Sequence, residues 1–265
     1  MDDASRDRYI VPSLAQGLQV LSLFSRSRTR ISAPEIVSEL GLSRTTAFRI
    51  LHTLATAGYV CKDEGGRQFR LGPAALGNGF SYLASLDFVE VAQPVLRRLR
   101  DETGMSSHMA IRDGRDIVYV ARYPANTTVR SSVTIGTRFA AHATVMGRML
   151  LLDMDDGEFA RLFPETSLPA FSEQTPATPA ALQALIAKDR ERGYAVGLSF
   201  FERGVSSAAA PVRDAAGRIV AAINVTSVDG YSDPMRLEGP VKDAVLRAAR
   251  DISGWIPDDA ARNRV

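Results

Sequence analysis

The sequence predicts an α+β protein: an N-terminal winged helix-turn-helix, a linker helix, and a larger antiparallel-sheet domain flanked by helices. Three observations carry this. Residues 32–71 read as two capped helices, a tight turn and a basic hairpin. A small, apolar, helical stretch follows from Pro73 to about Ser85. Beyond it, short strand patterns joined by turn signals at Asp113-Gly114-Arg115-Asp116 and Asp214-Ala215-Ala216-Gly217 alternate with helical ones. The expected boundaries are 9–72 for the winged helix, 73–87 for the linker helix and 88–258 for the second domain.

The first helix is expected from Ser13 to about Arg26, with Leu14, Leu18, Leu21 and Phe24 on one stripe. Ser32 with Glu35 three residues on forms a capping box, and Pro34 in the first turn has no N–H to lose there. Ile36, Val37 and Leu40 give that second helix one apolar face, and Gly41 supplies the left-handed residue that ends it. Ser43 then restarts a helix as N-cap, with Ala47, Ile50, Leu51 and Leu54 spaced to pack inward. This leaves Arg44, Thr45, Thr46 and Arg49 outward near the helix start, the region a helix-turn-helix presents to the DNA major groove. Segments 59–62 and 67–71 flank Asp63-Glu64-Gly65-Gly66 as the two strands of a wing, where Arg67 and Arg70 would meet the phosphate backbone. Between residues 26 and 70 there are eight basic residues against four acidic ones, whereas the whole chain is only +2. Positive charge thus gathers where such a fold meets phosphate.

In the second domain, Met105–Arg112 and Ile117–Arg122 read as a hairpin, Val129–Ile135 as a third strand, and Val145–Leu152 as a helix. Leu182–Glu191 is a second helix, and Pro94 should kink or restart the helical pattern from Phe88 to Arg100. Tyr194–Phe200, Ser207–Val212 and Arg218–Val225 read as strands, and a C-terminal helix follows with Ser232 as N-cap and Pro234 in its first turn. An antiparallel sheet with helices on its faces leaves a concave side able to hold a small ligand.

Composition narrows the function. Of 265 residues, 45% are hydrophobic and 23% charged, the ordinary range for a soluble globular protein. No apolar run approaches the roughly 20 residues that span a bilayer. The polar start and the single cysteine, Cys61 in the first wing strand, fit a reducing cytoplasm. Lysine occurs only at 62, 188 and 242, so the basic charge is arginine, which suits bidentate phosphate and guanine contacts or merely reflects a GC-rich genome. An enzyme is not expected, nor is a metal or cofactor. The Gly-x-Ser-x-Gly elbow and Ser-x-x-Lys are absent, and Gly204-Val205-Ser206-Ser207 resembles the elbow only superficially. The histidines, His52, His108 and His142, show no metal-ligand spacing. His52 lies on the DNA-facing side, His108 reads as a satisfied strand residue, and His142 as structural. Besides a DNA-binding regulator, the residues leave open a ligand-binding module whose winged helix contacts proteins.

With these residues in hand, the chain resembles the isocitrate-lyase-regulator (IclR) family of bacterial transcription factors over nearly its whole length. The resemblance rests on segments 13–21 and 42–51, on Ile135-Gly136-Thr137-Arg138-Phe139-Ala140-Ala141-His142-Ala143-Thr144-Val145-Met146-Gly147-Arg148, and on Gly204-Val205-Ser206-Ser207-Ala208-Ala209-Ala210-Pro211-Val212. Gln16 stands where many members carry Arg, and the strand 222–229 lacks the Gly-Pro that often follows it. The resemblance implies a GAF-like effector-binding domain and dimers, often paired into tetramers, that repress or activate from palindromic operators. The Gly-Thr-Arg and Thr-x-x-Gly-Arg pieces point to the branch governing aromatic-acid catabolism. Matching positions imply that Phe139, Ser199, Ser207, Asn224 and Thr226 line an effector pocket. The helix beginning near Thr144 would offer the amides of Val145 and Met146 to a carboxylate, with Met146 as apolar wall, and Arg122, Arg130 or Arg138 are candidate partners for an acid.

Overall fold

The computed structural model describes residues 9–25, 27–126, 133–228 and 233–257. The chain divides into two compact units, Met1–Ser85 and Leu86–Val265.

In the first unit, α1 (Pro12–Ser22), α2 (Ala33–Leu40) and α3 (Arg44–Thr56) surround a core of Val20, Ile31, Ile36, Ala47, Ile50, Leu51, Val60 and Phe69. The capping box forms: the Glu35 N–H donates to Ser32 Oγ, and the Ser32 N–H donates to Glu35 Oε2 at 2.7 Å. Gly41 ends α2 at φ +63°, a conformation that L side chains rarely adopt. The wing is β2 (Val60–Lys62) against β3 (Gln68–Leu71), and Asp63 Oδ1 closes its turn by accepting from the Arg67 and Gln68 amides. A short β1 (Ile31–Ser32) adds to β3, giving the order β1-β3-β2, which two residues are too few to announce in the sequence.

One face is rotated from expectation. Leu14 and Leu18 of α1 are 61% and 57% exposed, while Gly17 and Val20 are buried and Leu21 and Phe24 pack against the core. Positions 17, 20, 21 and 24 form an equally regular helical face, and only the packing partner chooses between the two. The linker segment is helix α4 (Pro73–Ala84), none of whose residues is buried.

The second unit is built on a six-stranded antiparallel sheet of order β6-β5-β4-β9-β8-β7, comprising β4 (Ser106–Asp113), β5 (Asp116–Tyr123), β6 (Arg138–Ala140), β7 (Ala195–Leu198), β8 (Ser206–Arg213) and β9 (Ile219–Ser227). On one face lie α5 (Asp87–Thr103) and the C-terminal α10 (Lys242–Ser253); there Ser107 Oγ donates to the Leu96 carbonyl. On the other lies α6 (Val145–Leu150), with α7 (Asp156–Leu162) and α8 (Pro179–Arg192) outside it. A Cβ on Gly147 would sit 2.0 Å from the Ala141 carbonyl oxygen, so only glycine lets α6 fold back on the turn before it.

Several expected elements shift. The third strand is Arg138–Ala140; Val133–Ile135 lead into a turn in which the Thr137 hydroxyl accepts from the Thr134 N–H, and residues 129–132 lie outside the described residues. α5 runs through Pro94 without a new start. Ser232 also lies outside the described residues, and Asp233 caps the short helix α9 (Pro234–Arg236). A π turn at Leu237–Val241, bent at Gly239 before Pro240, separates α9 from α10.

Candidate DNA-binding face and ligand cavity

In the first unit, Ser43 Oγ accepts from the Thr46 N–H at 3.0 Å and pairs with the Thr46 hydroxyl at 2.8 Å. These two side chains therefore hold the start of α3, and Thr46 is half-buried. Arg44, Thr45 and Arg49 are exposed on the outer face, and Arg67 and Arg70 are exposed on the wing. Arg28 is occupied by α2, lying 3.5 Å from Glu35 and 2.5 Å from Glu39, so it adds little to the field around α3. Sequence reasoning missed Phe48 as an outer-face residue. It is 65% exposed and stacks on His52 with ring centroids 6.3 Å apart and planes 12° apart. Its position four residues after Arg44, off the buried stripe, was the available signal; a face of Arg, Thr and an exposed ring can grip phosphate, hydrogen-bond base edges and touch a thymine methyl.

In the second unit, a cavity of about 380 Å³ opens between the sheet and α6. Antiparallel register places His108 opposite Asn224, and Ser207 opposite Thr226, so β4, β9 and β8 aim these side chains to one face. Phe139, Val145, Ser207, Asn224 and Thr226 all line the cavity. Met146 and Ser199 do not. Met146 is fully buried in the core beneath α6, one helical position round from Val145. Ser199 adopts φ +53° and takes the Gly204 N–H on its Oγ, holding the loop that delivers Phe200, Phe201, Glu202 and Val205 to the cavity instead. Ser172 Oγ and Thr175 Oγ1 pin that loop by donating to the Phe200 carbonyl, each at 2.8 Å.

The wall is largely aromatic: Tyr119 meets Phe139 edge-on at 5.9 Å, and Phe139 packs on Phe201 at 4.6 Å. Burial raises the Tyr119 phenol pKa, so it stays neutral. Thr144 caps α6 by accepting from the Gly147 N–H, and at six residues that helix carries only a small dipole, so the hydroxyl and amide lining matters more to a bound group. Arg138 serves the β4–β5 hairpin, donating to Asp113 and Asp116, and Arg130 lies outside the described residues. His142 hydrogen-bonds the Pro169 carbonyl oxygen.

His108 departs most from expectation. It lines the cavity, where a merely satisfied strand residue was expected. Its Nδ1 lies 3.0 Å from Asn224 Oδ1, while Asn224 Nδ2 donates to Thr226 Oγ1 at 2.9 Å. Its Nε2 is buried with no hydrogen-bond partner among the described residues. Burial lowers its pKa to about 4, so the ring is neutral at physiological pH.

A winged helix in one unit and a sheet-backed cavity in the other define the class: a DNA-binding protein with a second, cavity-bearing domain. Comparison with known sequences makes that specific. Residues 13–64 match the IclR helix-turn-helix domain, and residues 80–254 match the bacterial transcriptional regulator IclR C-terminal domain. The Pca regulon regulatory protein of Pseudomonas putida is 33% identical over 247 residues, 93% of this chain and 84% of that protein. The regulator XynR of Escherichia coli K12 is 30% identical over 228 residues, 86% of this chain and 90% of its own. The crystal structure of an IclR transcriptional regulator from Alicyclobacillus acidocaldarius superposes with a TM-score of 0.81 at 25% identity, covering 93% of this chain and 99% of that one. The chain belongs to the IclR family of DNA-binding transcriptional regulators. These similarities point to regulators rather than enzymes, and among the described residues no helix is long and apolar enough to cross a membrane.

Proposed function

We propose that the protein is a ligand-responsive regulator of a catabolic operon, acting in the cytoplasm on a palindromic operator and sensing a small aromatic carboxylate in the cavity of its second unit. The carrying observation is the cavity itself. About 380 Å³ walled by Tyr119, Phe139, Phe200 and Phe201 suits one aromatic ring, and the polar groups of Thr144, Ser207, Asn224 and Thr226 suit its oxygen substituents. On the DNA side, Arg44, Thr45 and Arg49 read or flank the bases, Ser43 and Thr46 brace the helix start, and Arg67 and Arg70 hold the wing to the backbone.

A homodimer, or a pair of dimers, fits the same reading. Leu76 and Phe80, four residues apart on α4, are 64% and 65% exposed and form an apolar face of the kind that pairs with its twin. Effector binding would shift the population between arrangements of different operator affinity, with reciprocal coupling between the two ligands.

The test is fluorescence anisotropy with the protein's own upstream intergenic DNA and a scrambled control across a salt series, repeated with a panel of aromatic carboxylates. Preference for its own DNA, a steep salt slope and a midpoint moved by one of the acids are expected. Specific DNA binding indifferent to every acid would reject the effector class, and absence of binding to any DNA would favour a winged helix that contacts proteins.

A further inference from the structure

Phe48 is a large apolar side chain set among the basic and hydroxyl groups on the outer face of α3, away from the buried stripe. Ala47, Ile50 and Leu51 are buried, whereas Phe48 is 65% exposed. Arg44, Phe48 and His52 stand four residues apart and form one ridge along the helix, with Thr45 and Arg49 in the row beside it. His52 is itself exposed and flanks the ring, its plane 12° from that of Phe48. Farther along, the Thr53 and Thr56 hydroxyls turn back and donate to the Arg49 and His52 carbonyls. The groups presented outward by the first half of α3 are thus the Arg44 and Arg49 guanidiniums, the Thr45 hydroxyl and the Phe48 ring. Exposed apolar side chains are ordinary when scattered singly, but this one is continuous with a face that meets nucleic acid. Guanidiniums suit phosphate oxygens and guanine edges, and a phenyl ring suits neither. In the major groove, the apolar group on a base edge is the 5-methyl of thymine.

We infer that Phe48 is a specificity-determining residue whose ring seats on the 5-methyl of a thymine in the operator's major groove, within the footprint of Arg44 and Arg49. The inference rests on the reading of this face of α3 as the DNA-binding face, and adds to it the base and the atom that are read. Selection has two parts. Covering the methyl removes apolar surface from water, worth about fourfold in affinity for each methyl contacted. A cytosine in the same place would instead set its N4 amino group against the ring, where it loses water and gains no partner.

The test uses the full chain and duplex DNA. Sequences that the protein binds are first enriched from a random-sequence duplex library. Fluorescence anisotropy then compares the enriched duplex with one in which deoxyuridine replaces every thymidine, which removes the methyls and keeps the Watson–Crick pairing. Affinity is expected to fall at least about fourfold on the deoxyuridine duplex at equal salt, and single replacements should trace the loss to a defined position. F48A should bind the two duplexes within about twofold of one another, whereas R44A, though weaker on both, should keep the difference. A wild-type chain indifferent to deoxyuridine, or F48A that still loses about fourfold, would overturn the inference and leave the DNA face standing. Enrichment of no sequence would remove the DNA face and the inference with it, in favour of a winged helix that contacts proteins. The duplex comparison is made on the unaltered chain, so it decides the matter even if F48A folds poorly.

Discussion

Arg148 Nε on α6 lies 2.7 Å from Asp189 Oδ2 on α8, and the two side chains are only 3% and 7% exposed. Arg148 also donates to the Val196 carbonyl at 3.2 Å and lies over the Phe200 ring, 4.4 Å from its centroid. One guanidinium thus ties α6, α8, β7 and the back of a cavity-wall ring together. Burial pushes the Asp189 carboxyl pKa up and the Arg148 guanidinium pKa down, and their mutual attraction opposes both shifts. Removing Asp189 would leave an uncompensated buried cation, so D189A should cost about 3–5 kcal/mol of stability by urea denaturation. Replacing both partners by apolar residues should recover much of that loss, and if D189A costs as little as an exposed pair, the pair does not brace the cavity.

His108 makes the second unit sensitive to acid. Its folded pKa, about 4, is below the ordinary 6.5. Between these values the unfolded chain binds a proton that the folded chain refuses, so stability falls as pH drops from about 6.5 toward 4. The difference is worth about 3 kcal/mol. Urea midpoints measured at intervals across this range should show that slope, and H108F should flatten it.

On the proposed DNA face, base reading and phosphate contact are separable by mutation. R44A should weaken specific binding by about 1–3 kcal/mol with little effect on scrambled DNA, if Arg44 reads a base edge. R67A should weaken both equally and reduce the salt slope by about one. Anisotropy on the two DNAs distinguishes these patterns, and equal loss for R44A would reassign Arg44 to the phosphates.

Ser207 lies on the cavity floor opposite Thr226. S207F should fill the space a ring would occupy, abolishing the response to an effector while leaving operator affinity within about twofold. A retained response would place the effector elsewhere.

Glu202 is an exposed acidic residue of the cavity lining. Its charge opposes an anionic ligand across a partly solvated gap, where one charge is worth on the order of 1 kcal/mol. E202Q should therefore tighten binding of an aromatic acid severalfold in calorimetry, with a smaller gain at high salt.

Much of the winged helix was legible because its signals are local. A capping box, a glycine beyond the last helical residue and an N-cap serine act within four residues of one another, and Ser32–Glu35, Gly41 and Ser43 form those contacts. The two hairpin turns at 113–116 and 214–217 were legible for the same reason. The stripe on α1 was misjudged because two helical faces were equally regular, and only contact with α3 through Gly17 selects one. The displaced third strand reflects the same limit: Arg138–Ala140 is a strand because β5 offers it an edge.

The cavity divides along the same physical line. Sequence by itself determined most of the elements and their order, the polar and apolar alternation that gives each strand two faces, and the basic start of α3, because each depends on neighbours along the chain. Tertiary structure alone decided that Met146 turns into the core, that Ser199 shapes a loop, and that Phe200 and Phe201 come over the sheet. It also decided that His108 meets Asn224, 116 positions away, with one nitrogen hydrogen-bonded and the other buried without a partner among the described residues. Which side chains face a shared space is set by cross-strand register and by the path of a distant loop, and neither is encoded in the residues adjacent to them.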